Sequence, residues 1–150
     1  MITLKSEKEI ALMRRAGKIT AAARALARDM VKPGVTTQQI DKAVFDFIKS
    51  QGATPSFLNY YGFTGSACIS VNDEVIHGIP SKSRKICAGD IVSVDLGAKF
   101  QGYHGDNAAT FACGEVSNEA KRLMDVTRQS LYEGIKMARP GGRIGDISAA

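Results

Sequence analysis

Tryptophan is absent, histidine occurs twice, cysteine three times and proline four times in this chain of 150 residues. Cys68, Cys87 and Cys113 are odd in number, widely spaced and include no Cys-x-x-Cys pair, which excludes a disulfide framework and a zinc knuckle and predicts free thiols. No apolar run approaches the ~20 residues that cross a bilayer, and charges begin at Lys5, before a signal-peptide core can form. The expected address is cytoplasmic, with no membrane partner. Gly-x-Gly-x-x-Gly, Walker, Gly-x-Ser-x-Gly and His-Glu-x-x-His patterns are also missing, which removes the usual nucleotide, serine-hydrolase and helical zinc-protease signatures.

What is present suits a globular fold. Hydrophobic residues at 44% and charged residues at 23% exclude disorder as the main state, and a chain of this length can bury roughly two-thirds of its unfolded surface. The net charge of 20 minus 15, or +5, is uneven, because residues 1–32 hold eight Lys/Arg against Glu7, Glu9 and Asp29. This basic segment suits an anionic partner such as RNA, or is simply a solvated helix face.

Ser6-Glu7-Lys8-Glu9 is a capping box, and Leu12, Ala16, Ile19, Ala23, Leu26 and Met30 follow on one helical stripe that Lys32-Pro33-Gly34 stops. Thr36 with Gln39 offers a second box, with Ile40, Val44 and Phe47 on an apolar face running to Gly52. From Thr54 to Phe111 glycines are frequent, and Cys68–Asn72 and Ile91–Leu96 read as strands. Ser117 caps a third helix with Leu123, Thr127, Leu131 and Ile135 on one face, ending at Ala138-Arg139-Pro140-Gly141. Pro33-Gly34 followed by Ile40 is echoed 107 residues later by Pro140-Gly141 followed by Ile147, so a helix, Pro-Gly, helix order begins twice.

The chemistry concentrates in Asp90–Asp106, which has the pattern of a hairpin. A four-residue turn over Lys99–Gly102 sets Asp95 directly across from Asp106, with both carboxylates on one face. Like charges about 5 Å apart repel unless one is protonated or a cation lies between them, so the pair reads as part of a divalent-metal site. A register off by one sends the two side chains to opposite faces and leaves one as an exposed turn residue. His77, in Val75-Ile-His-Gly-Ile-Pro80, is flanked by small and rigid residues that let a ligand approach; the alternative is a packed, satisfied histidine. His104 reads as a strand or turn residue. Phe57, Tyr60, Tyr61 and Phe63 form either the wall of an apolar pocket or a core cluster.

Taken together, these residues resemble the type I methionine aminopeptidases of bacteria along the whole chain. The resemblance is carried in order by Cys68-Ile-Ser-Val-Asn72 leading to His77-Gly-Ile-Pro80, by Gly89-Asp-Ile-Val-Ser-Val-Asp95, and by Gly102-Tyr-His-Gly-Asp106. It implies an α+β pita-bread fold of two related halves, here the first half and the start of the second, so that 1–150 is the N-terminal part of a single metallo-aminopeptidase catalytic domain. It implies two divalent ions, drawn from Co, Mn, Fe or Zn, with Asp95 and the bridging Asp106 among their ligands. His77 becomes the catalytic and substrate-binding histidine, and Phe57, Tyr60, Phe63 and Cys68 line the methionine pocket. The family's histidine and two glutamate ligands have no counterparts in these 150 residues, so the isolated chain is not expected to be active.

The expected function is removal of an initiator methionine from nascent chains whose second residue is small. Its partners are peptide N-termini and, through the basic N-terminal helix, the ribosome. The rival readings are a pita-bread relative that binds RNA or protein without catalysis, and an inactive fragment of the peptidase. Nothing in the sequence specifies an oligomeric state.

Overall fold

Ser6 and Glu9 start the first helix as the capping box predicts. The Ser6 hydroxyl accepts the Glu9 N–H, and the Glu9 carboxylate accepts the Ser6 N–H. In the computed structural model, which describes residues 3–150, this helix is α1, Glu7–Met30. It buries Ala16, Ile19, Thr20, Ala23 and Ala27, whereas Leu12, Leu26 and Met30 are only half-buried. The buried stripe is therefore made of smaller side chains than the periodicity suggested. Thr36 and Gln39 close the second box and begin α2, Thr37–Ser50, which buries Thr37, Ile40, Val44 and Ile48.

Four strands follow: β1 (Thr54–Pro55), β2 (Ala67–Val71), β3 (Ile91–Phe100) and β4 (Tyr103–Ala112). All three others pair antiparallel with β3; β4 runs along one edge, while β2 at Val92–Leu96 and β1 at Ala98–Lys99 share the other. Alternation gives the sheet two unlike faces. Ile69, Val71, Val92, Val94, Leu96 and Ala98 form the core with Ile19, Ala23, Ile40, Val44 and Ile48 of the two helices. Cys68, Ser70, Ser93, Asp95 and Asp106 belong to the opposite face.

The hairpin corrects one expectation. Phe100 pairs with Tyr103, so the turn is the two residues Gln101 and Gly102, not four, and Gly97 rather than Asp95 lies across from Asp106. Both turn residues have positive φ, 47° and 89°, as a type I′ turn requires. The register moves by two residues, an even number, so both aspartates keep their face.

The hairpin tip is clasped to α1. The Tyr103 hydroxyl donates to Glu9 Oε1 at 2.8 Å, and the Arg15 guanidinium lies 5.9 Å from the centre of the Phe100 ring. Hydrogen bonds from Ser6 and then Tyr103 hold the Glu9 carboxyl down at about 2. A carboxylate whose folded-state pKa is depressed stabilises the fold above its unfolded value, and that contribution fades as pH falls toward the folded value. The thermal midpoint of Glu9→Gln is therefore expected to fall less than that of the unaltered chain between about pH 4.5 and pH 2.

Residues up to Glu115 form one compact unit and Val116–Ala150 a second. In the second, the Ser117 hydroxyl accepts the Ala120 N–H and starts α3, Asn118–Met137, followed by α4, Ile144–Ala149. Gly134 packs against Ile147, and it is the one buried residue of α3. Leu123, Leu131 and Ile135, expected on one apolar face, are exposed. The Pro-Gly echo extends to backbone conformation: Gly34, between α1 and α2, has φ 87°, and Gly141, between α3 and α4, has φ 84°.

Candidate metal centre

Asp95 pairs with Cys68 on one side and Ala108 on the other, which makes Asp106 its diagonal neighbour on the same face. Diagonal cross-strand positions are roughly 7–8 Å apart at Cα, within reach of two carboxyl groups. Burial, then the charge of Asp106, then a hydrogen bond that the protonated form makes with Asp106 push the Asp95 carboxyl up; the charge of His77 pulls the other way. Asp95 Oδ1 is buried and has no hydrogen-bond partner, whereas Asp106 is exposed. A buried carboxylate oxygen without a donor, beside a second carboxylate, is an unfavourable arrangement that a cation relieves.

Cys68 is 6% exposed, and its thiol is pushed up to about 11 by burial and by the charges of Asp95, Asp106 and Asp41. It stays protonated at neutral pH and presents a small, neutral sulfur to the site.

His77 reaches this neighbourhood because its segment runs beside β2. The Ile69 N–H donates to the Gly78 carbonyl at 2.9 Å, and the Gly78 N–H to Ser70 Oγ at 3.0 Å. A Cβ on residue 78 would run into the Ile69 carbonyl, so only glycine permits this approach. His77 has φ 60°, sparsely populated for a side-chain-bearing residue and of the kind that clusters at functional sites. It is exposed, which sets aside the packed-histidine alternative.

Phe57 is carried onto the acidic face by β1. The Ser56 N–H donates to the Gly97 carbonyl at 2.9 Å, and a Cβ on Gly97, the partner of Asp106, would lie 3.1 Å from Phe57. Phe63 is half-buried, Tyr60 and Tyr61 are 65% and 94% exposed, and none of the four aromatics belongs to the core, so the core-cluster alternative falls. Tyr60 and Tyr61 meet edge to face, 4.6 Å between ring centres, in a turn where Asn59 and Tyr61 have positive φ. His104 shares a 2.9 Å hydrogen bond with Ser56 and sits on β4, the strand role expected for it. No sequence signal marked the Ser56–His104 pair.

Among the described residues no group of three or more His, Cys, Asp or Glu side chains is placed to hold a metal ion. Asp95 and Asp106 are the two carboxylates that β3 and β4 bring together on one face, and both offer oxygens that suit a divalent ion.

The family model described as "Metallopeptidase family M24" matches residues 11–150. The chain belongs to this family. Methionine aminopeptidase of Clostridium acetobutylicum is 51% identical over 99% of this chain and 59% of its own length; methionine aminopeptidase 1 of Bacillus subtilis is 48% identical over 100% and 60%. The crystal structure of methionine aminopeptidase from Thermotoga maritima superposes with a TM-score of 0.96 at 42% identity, covering 99% of this chain and 59% of that one. The chain thus spans about 60% of the length of these relatives. The expected α+β pita-bread fold and the resemblance to methionine aminopeptidases are both borne out. In this M24 chain no described helix is long and apolar enough to cross a membrane.

Proposed function

We propose that this chain contributes two metal ligands, Asp95 and Asp106, and the substrate histidine, His77, to a methionine aminopeptidase that removes the first methionine from peptides whose second residue is small. The observation that carries this reading is the buried, partnerless Asp95 Oδ1 diagonal to Asp106, in a chain of the M24 metallopeptidase family. Two divalent metal ions bound there would supply Lewis-acid polarisation of the scissile carbonyl and acidification of water.

The chain's own residues do the rest. Asp95 and Asp106 offer carboxylate oxygens that must be ionised to bind, so protons compete with metal at Asp95, whose pKa is raised. His77, fixed by the Gly78 approach to β2, hydrogen-bonds the substrate's peptide group near the attacked carbon. Phe57, Tyr60, Phe63 and the neutral Cys68 form the apolar pocket for the methionine side chain, in which a charged thiolate would be unfavourable. The same reading places the protein in the cytoplasm, acting on nascent chains, with the exposed Arg14 and Lys18 of α1 on the side that meets the ribosome.

The test is hydrolysis of Met-Ala-Ser and Met-Leu-Ser with added Co²⁺ or Mn²⁺. A polypeptide extended by the remaining ligands is expected to cleave the first at least about 100-fold faster than the second, since a bulky second side chain clashes near the reacting centre. The 150-residue chain alone, with two ligands, is expected to release no methionine. Cleavage by the short chain would sink the two-ligand assignment; no cleavage by the extended one would sink the function.

A further inference from the structure

The two walls of the proposed pocket, the aromatic loop over residues 56–65 and the His77–Pro80 segment, are both tied to one face of α2. Asp41 Oδ1 accepts the N–H of Ser66 at 2.6 Å and of Ala67 at 2.9 Å, where the aromatic loop becomes β2. One turn earlier on the same helix face, Thr37 Oγ1 accepts the Ser81 N–H at 2.9 Å, and the Thr37 hydroxyl faces the Ser81 carbonyl at 3.3 Å. The walls also touch each other: a Cβ on Gly65 would lie 2.9 Å from Pro80 Cδ.

A cleft of about 480 Å³ separates the aromatic loop from α2, lined by Gln38, Asp41, Phe45, Leu58, Thr64 and Ser66. Asp41 bridges it with both N–H bonds on one oxygen, although burial pushes its carboxyl up against the pull of those bonds. A half-buried carboxylate is costly unless it is hydrogen-bonded, and the Ser66 and Ala67 N–H groups are the partners that offset the cost here. Cys68, the partner of Asp95, is the next residue of the chain after this tie.

We infer that Asp41, seconded by Thr37, is a positioning residue that sets the distance between the aromatic loop and the His77 segment, and hence the fit of the methionine side chain. The inference rests on the reading of Phe57, Tyr60, Phe63, Cys68 and His77 as the substrate pocket.

Three thiols of unequal exposure provide the test: Cys87 is exposed, Cys68 is buried beside the tie, and Cys113 is buried in the core. The 150-residue chain and its Asp41→Asn and Asp41→Ala variants are alkylated with iodoacetamide, and each cysteine is followed by peptide mass spectrometry. Asparagine removes the charge, which by itself lowers the Cys68 pKa, but keeps an oxygen that accepts both N–H groups. Alanine removes charge and acceptor together. Cys68 is expected to react about ten-fold faster in Asp41→Ala than in Asp41→Asn, because losing the acceptor frees the Ser66 and Ala67 N–H groups and opens the strand locally, with Cys113 unchanged. Equal Cys68 rates in the two variants overturn the inference, as does acceleration of Cys113 alongside Cys68, which marks global loosening.

In a polypeptide with the remaining ligands, Asp41→Ala is expected to raise KM for Met-Ala-Ser about ten-fold with kcat changed less than about three-fold, and Asp41→Asn to restore KM. A loss confined to kcat overturns the positioning role. Absence of cleavage by the unaltered polypeptide overturns the pocket reading, while the alkylation result still judges the tie.

Discussion

Alanine at Asp95 or at Asp106, in a polypeptide carrying the remaining ligands, is expected to lower hydrolysis of Met-Ala-Ser by at least about 10³-fold, because under the proposed function each supplies carboxylate oxygens to the metal ions. The physical reason is visible without the metal. Asp95 has an oxygen buried with no donor, and its carboxyl is pushed up by burial and by Asp106. A carboxylate whose folded-state pKa is raised costs stability once ionised: the fold is favoured below the unfolded pKa, and that advantage is lost as pH rises through the folded one. Asp95→Asn is therefore expected to stabilise the metal-free chain at neutral pH, by about 1 kcal/mol or less because Asp106 is open to solvent and screened. Opposite signs in the two measurements, activity lost and metal-free thermal midpoint raised, separate a ligand from a structural aspartate. A fall in both would show that Asp95 holds the fold. Metal affinity is expected to rise with pH through the Asp95 titration, by equilibrium dialysis with Co²⁺.

Alanine at Gly105 is expected to have the largest effect on stability. An added Cβ would lie 2.6 Å from Thr20 Oγ1 and 2.7 Å from the Ala16 carbonyl carbon and oxygen. The obstacle is largely helix backbone, fixed by its own hydrogen bonds, so the whole of α1 must move away from β4 rather than one rotamer change. Overpacking of this kind costs roughly 3 kcal/mol, and a chain of this size loses about 2–4 °C of thermal midpoint per kcal/mol, so a drop of roughly 10 °C is expected by circular dichroism. An unchanged midpoint would show that α1 does not depend on this contact. The small residues of the α1 stripe then make sense: Ala16, Ala23 and Ala27 let the helix lie close to the sheet, with Gly105 against Ala16 and Thr20.

That close approach was not legible in the sequence, where Gly105 reads only as part of Tyr103-His-Gly-Asp106. The two-residue turn was not legible either, for a local reason. Gln101 adopts the left-handed conformation usually left to Asn, Asp or Gly, so Gln-Gly carries a weaker two-residue signal than Asn-Gly. The hairpin face survived because side chains alternate with period two and the register differed by an even number. Asp41 gave no signal at all: beside Ile40 it reads as an ordinary polar helix position, and its partners are 25 and 26 residues away.

The local terms were readable because they act over three or four residues. Two capping boxes, the Ser117 cap, the apolar spacing of α2 and the Pro-Gly stops each need only neighbours in the chain, and each formed as expected. Tertiary structure decided what depends on distant backbone: the diagonal rather than direct meeting of Asp95 and Asp106, the seating of His77 through Gly78 against β2, and the bridge of Asp41 to the end of the aromatic loop. Residue type and spacing determine which groups are available and which face they occupy. Whether two of them share a proton, a ligand or a wall is set at the ångström scale by strand register and helix approach, which only the packed core defines.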